Sequence, residues 1–133
     1  MDELLTYLMD EMSVDYWYDE AILICTDILC VFSKNDWNLL AEKIPSFSDE
    51  TNVRLAETLA DLKTDDALAC YKQLAQVNSV SVSFACIDAL RTYKDILTDY
   101  EFIEFLVQKA KTIVSIVTPI ESMIVKEFIN KFS

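Results

Sequence analysis

Apolar residues recur along this chain at intervals of three and four, and short polar stretches rich in capping residues separate the runs. The pattern predicts a short helix over residues 2–12 and a longer one from Asp15 to Phe32. A third runs from about Asp36 to Ile44 and stops at Pro45. Ser48 caps a fourth that reaches about Leu62, with Asp49 and Glu50 in the first turn, where a helix start favours carboxylates. Thr64 caps a fifth, again with acids following, and Asn78 or Ser79 caps a sixth that ends near Tyr93. Thr98 with Glu101, and Thr118 with Glu121, read as capping boxes that open the seventh and eighth. Pro119 stands at the first helical position, where a missing N–H costs nothing. Thr112 to Val117 is β-branched, but a lone strand has no pairing partner, so the stretch is assigned to helix. Connections of two to five residues make consecutive helices neighbours. The expected fold is all-α, a single domain over 1–133 with seven or eight helices in stacked antiparallel hairpins.

On a wheel of 100° per residue, the second helix divides into two sectors. Trp17, Tyr18, Ala21, Ile22, Ile24, Cys25, Ile28, Leu29, Val31 and Phe32 share one, which is assigned to the core. Asp15, Tyr16, Asp19, Glu20, Leu23, Thr26, Asp27 and Cys30 share the other. Trp37, followed by Leu40 and Ile44 at helical spacing, is also assigned to the core. An acidic face that carries a tyrosine and a leucine has the makings of a surface for a basic protein: the acids attract, and the ring adds contact area at little entropic cost. The alternative is that Tyr16 and Leu23 pack against the first helix.

Composition narrows the chemistry. The 133 residues are 53% hydrophobic and include no glycine and only two prolines, which disfavours folds built on tight β-turns. Without glycine there is no phosphate-binding loop, dinucleotide fingerprint or nucleophile elbow. Histidine, the commonest general base and metal ligand, is absent too. Cys25, Cys30, Cys70 and Cys86 form no CxxC pair and read as small buried thiols. Asp65 with Asp66, and Glu101 with Glu104, could be offered as catalytic carboxylate pairs, but each sits where a helix start already accounts for acids. No loop has the spacing of an EF-hand. The expectation is a binding protein rather than an enzyme, with no cofactor and no metal. The start of the chain lacks a secretory pattern, and Glu104, Lys109, Lys111 and Glu121 interrupt the longest apolar region, from Phe102 to Val125. A cytoplasmic location away from membranes is expected.

Charge is the strongest asymmetry. Residues 1–66 hold 16 acidic and 4 basic side chains, whereas residues 67–133 hold 7 of each, so the whole net charge of −12 lies in the first half. Such a field repels nucleic acid and favours a cationic partner, although acids can also serve solubility alone.

The middle of the chain repeats at a shift of 29 residues: Asp36, Leu39 and Lys43 meet Asp65, Leu68 and Lys72, and Val53, Ala56 and Ala60 meet Val82, Ala85 and Ala89. "VRLAETLA" and "VSFACIDAL" carry small residues at helical spacing. The second resembles the second helix of a HEAT-like repeat at Val82, Cys86, Ala89 and Leu90, with Ser83 in place of the usual arginine; the first matches at Val53 and Arg54. Residues 36–93 as a whole resemble small bacterial HEAT-like proteins, in particular immunity proteins of contact-dependent growth inhibition and other polymorphic toxin systems. That resemblance implies an antitoxin that binds and blocks a cognate toxin domain, often a basic nuclease. The candidate partner-binding residues are Asp15, Tyr16, Asp19, Glu20 and Asp27, followed by Asp61, Asp65 and Asp66 near the ends of the repeat hairpins. Two other readings remain: a HEAT-like adaptor or regulatory module, and an acidic mimic of nucleic acid.

Overall fold

The computed structural model describes residues 1–93 and 95–132. Counting 14–30 as one continuous helix, the described residues form eight helices and no strand. We label them α1 (Asp2–Met9), α2 (14–30), α3 (Lys34–Lys43), α4 (Asp49–Leu59), α5 (Asp65–Leu74), α6 (Val80–Leu90), α7 (Tyr100–Ile113) and α8 (Pro119–Phe132).

Side-chain caps set the starts. Ser33 and Asp36 form a reciprocal capping box on α3. Ser48, Thr64 and Ser79 accept from Thr51, Ala67 and Val82 N–H groups and open α4, α5 and α6. Thr118 and Glu121 form the expected box on α8. The seventh helix departs from expectation, because Asp99, not Thr98, caps it. One Asp99 oxygen accepts from the Glu101 and Phe102 N–H groups at 3.1 and 3.2 Å, and the other takes the Lys72 ammonium at 2.7 Å, a load no threonine hydroxyl can carry. The third α-helix ends just before Pro45, as expected, with Ile44 as its C-cap. Pro45 sits at the start of a single 3₁₀ turn, Ile44–Ser46, and Ile44 stays fully buried. Of the stretch 112–117, Thr112 and Ile113 end α7 and the remainder is turn.

Each helix of the middle region packs on the next but one. α2, α4 and α6 form one row, and α3 and α5 form another. α1 lies on α2 and α4, while α7 and α8 pack on each other and on α6. The two repeat hairpins, α3–α4 and α5–α6, therefore stack in register. α4 and α6 make the most extensive helix pair, and buried Ala56, Ala85 and Ala89 allow them to approach. Val82, Cys86, Ala89 and Leu90, the positions of the HEAT-like match, are all buried. Trp17 and Trp37 are 3% and 7% exposed, as their helix positions predict. The buried Tyr71 hydroxyl donates from one row to the other, to the Ala56 carbonyl at 2.6 Å, and the buried Tyr93 hydroxyl, just past α6, donates to the Leu59 carbonyl at 2.7 Å. Their rings meet edge to face, with centroids 5.5 Å apart.

α2 is not a uniform α-helix. Trp17–Ala21 forms a π-helical turn, which spends one residue more per turn than an α-helix does. The core line of α2 becomes Trp17, Ala21, Cys25 and Leu29, at strict intervals of four. Tyr18, assigned to the core by a constant 100° step, is instead 51% exposed. Ile22, Ile24, Ile28 and Phe32 are half-buried. Val31 is exposed because α2 ends at Cys30 and the wheel no longer applies beyond it. Cys30 itself is exposed, which corrects the expectation that all four thiols are buried.

Candidate functional site

Two surfaces of α2 are candidate binding surfaces. The first is its outer face. Asp15, Tyr16, Asp19, Glu20, Leu23 and Asp27 are all exposed, so Tyr16 and Leu23 are not covered by α1. Among the described residues none of the four carboxylates here makes an ion pair. The second set of candidates behaves differently. Asp61 and Asp65 are exposed, but Asp66 is half-buried and holds Lys34 at 2.9 Å, which ties α5 to α3 and neutralises its charge. No hydrogen bond or ion pair joins the two sets among the described residues.

The second surface is a cleft that the sequence reading missed. It crosses the row α2–α4–α6 in two adjoining compartments of about 650 and 440 Å³. Tyr18, Val53, Glu57 and Ser81 line both; Ile22 and Phe84 enlarge the first, and Trp17 and Met12 the second. The repeat explains the hollow: Val53, Ala60, Ala85 and Ala89, four of its six matched α4 and α6 positions, line the cleft with short side chains. This was the available signal, since small residues in register on packed helices leave space above them. The polar residues carried no such pattern, because Glu57, Asp88 and Glu121 come from three different helices.

Glu57 organises the joint. The Trp17 indole N–H donates to one of its oxygens at 3.2 Å, and the Tyr18 hydroxyl donates to the other. The π turn directs these two consecutive side chains at a single carboxylate. Burial, then the hydrogen bond and charge of Glu57, push the Tyr18 phenol up to about 12, so it remains a neutral donor. At one end Arg54 is buried, its guanidinium donating to the carbonyls of Leu8 and Asp10 at 3.1 and 2.7 Å. It also meets Glu50 at 3.3 Å and lies over the Trp17 ring at 5.2 Å. At the other end Arg91 pairs with Asp88 at 2.9 Å and Glu127 at 3.7 Å. Both cations among the described lining residues, Arg54 and Arg91, are thus already matched to carboxylates of the same chain. Among the described residues Glu57 and Glu121 receive only neutral donors, the second from the Thr118 N–H, so the described lining is net negative.

Among the described residues no cluster of three or more ligating side chains is disposed to hold a metal ion. Burial pushes the thiols of Cys25, Cys70 and Cys86 up to about 11, 12 and 12, which leaves them protonated and inert. No helix among the described residues is long and apolar enough to cross a membrane. No family model matches the chain, and no curated protein or solved structure is significantly similar to it.

Proposed function

We propose that this chain is a protein-binding module that captures a basic protein, and that it acts as an immunity protein which blocks a cognate toxin domain. The observation that carries the reading is the outer face of α2: Asp15, Asp19, Glu20 and Asp27 stand in solvent, paired with no cation among the described residues, around the exposed Tyr16 and Leu23. A soluble domain gains nothing in stability from leaving like charges adjacent, whereas a cationic partner gains both steering and anchoring. The antitoxin role draws on the HEAT-like resemblance of residues 36–93 and accords with the basic partner proposed here.

The test is neutralisation. The protein encoded immediately upstream is expressed with this chain or with its variants, and growth and association kinetics are followed. Wild type is expected to restore growth. Reversing Asp19, Glu20 and Asp27 to lysine together should slow association, most of all at low salt, because exposed charges act beyond contact only within a screening length of about 10 Å at 0.1 M salt. Tyr16→Ala should speed dissociation at any salt. Variants that neutralise like wild type, with reversals in residues 67–133 abolishing the effect, would show the acidic face to be a solubility device.

A further inference from the structure

We propose that the cleft over α2, α4 and α6 seats a basic amphipathic helix of the partner, with its apolar side chains among Tyr18, Ile22, Val53 and Phe84 and a lysine or arginine over Glu57 and Glu121. This inference rests on the reading that the partner is a basic protein, and adds to it a second surface and a defined occupant. Three observations support it. The cleft is open and partly apolar, with half-buried Ile22, Val53 and Phe84 and a half-exposed tyrosine ring, the surfaces that a helix-in-groove interaction buries. Its charge selects the sign of the occupant: Arg54 and Arg91 are consumed by internal pairs, and among the described residues no cation pairs with Glu57 or Glu121. An anionic or purely apolar segment would leave those carboxylates facing a low-dielectric contact unpaired, which is costly. Finally, the cleft shares α2 with the acidic outer face, and the π turn presents Tyr18 to the cleft while its neighbours Tyr16, Asp19 and Glu20 stay exposed to solvent.

The experiment uses two synthetic peptides of equal length and charge. One alternates leucine and lysine at helical spacing; the other replaces each leucine with serine. Binding to the full chain is measured by calorimetry, and the contact is mapped by amide chemical shifts. The leucine peptide is expected to bind at least about tenfold more tightly than the serine peptide, a difference of about 1.4 kcal/mol. Its shifts should centre on Tyr18, Val53 and Phe84. Ser81→Arg, an exposed substitution that brings a cation into both compartments, should remove that preference. Phe84→Ala should reduce it, and provides the second reading if Ser81→Arg disturbs the fold. The triple reversal of Asp19, Glu20 and Asp27 should weaken both peptides while preserving their ratio. Equal binding of the two peptides, or a preference untouched by Ser81→Arg and Phe84→Ala, overturns the cleft proposal and leaves the basic-partner reading standing. Failure of both peptides to bind at low salt overturns both.

Discussion

The indole N–H of Trp17 meets the Glu57 carboxylate at 3.2 Å across the joint between α2 and α4. The same carboxylate accepts the hydroxyl of the next residue, Tyr18. Replacing Glu57 with alanine leaves the N–H of a nearly buried ring without an acceptor. The expected loss is about 1–3 kcal/mol in urea denaturation, with a red shift of tryptophan emission. Glu57→Gln retains an acceptor oxygen and should lose less. If Glu57→Ala is as stable as the parent, the joint is held by packing alone.

Arg54 fixes the end of α1. It bonds the carbonyls of Leu8 and Asp10 from a buried position, so Arg54→Met should leave both acceptors unsatisfied while keeping most of the packing volume. A loss of about 1–3 kcal/mol is expected. Hydrogen exchange of the α1 amides should accelerate well before that of α4 or α6. Uniform acceleration across all helices would show that α1 unfolds only with the whole domain.

Alkaline pH should destabilise the protein. Burial pushes Cys25 up to about 11, Cys70, Cys86 and Tyr93 up to about 12, and Tyr71 well above its ordinary value. Each group is held neutral by the fold, and its folded pKa lies above the unfolded one. Their contribution is therefore complete below the ordinary thiol value of 9.0 and is lost as pH rises toward about 12. Urea midpoints measured across that window should fall steadily. A flat profile up to pH about 12 would mean that these groups titrate in the folded protein as they do in peptides.

Lys63 has φ of 51°, the one positive value among the described non-glycine residues. Its N–H donates to the Tyr93 hydroxyl at 2.9 Å, so the conformation is held by a tertiary contact. The left-handed region costs a residue with Cβ about 1–2 kcal/mol, and glycine's extra freedom in the unfolded chain offsets part of any relief. Lys63→Gly should stabilise by roughly 0.5–1 kcal/mol. Lys63→Pro, which lacks the N–H and cannot adopt this φ, should destabilise. Both effects are read from thermal midpoints.

Cys30 should be the thiol that reacts in the native state. Of the four cysteines it alone is exposed, so native protein should consume about one equivalent of a thiol reagent, and four after denaturation. Rapid native modification of Cys25, Cys70 or Cys86 would reveal local opening of the core.

Much of the architecture was legible because local chemistry dictates it. Ser48, Thr64, Ser79 and Thr118 announce helix starts through oxygens that accept backbone N–H groups, and the matched residues 36–60 and 65–89 announce stacked hairpins. Where neighbouring residues compete, as Thr98 and Asp99 do, the outcome turned on Lys72, which only the fold brings within reach. Tyr18 was misplaced because a π turn breaks the constant angular step, and no residue in Trp17–Ala21 advertises the change. The exposed acids of α2 could be read from spacing. The cleft's floor left a trace in the matched small residues of the repeat, but its carboxylates left none, because Glu57, Asp88 and Glu121 come from helices far apart in sequence.

The row arrangement converts the uneven distribution of charge along the chain into an electrical one in space. α1 and α2 sit toward one end of the stack, on α4, while α7 and α8 close the other end on α6. A net −12 gathered in residues 1–66, beside a neutral remainder, gives the molecule a large dipole moment as well as a net charge. In the field of a cationic body such a dipole experiences a torque before any contact forms, which turns the acidic end toward it during diffusion. Between two copies of the chain the same dipole disfavours side-by-side encounters in which the acidic ends align.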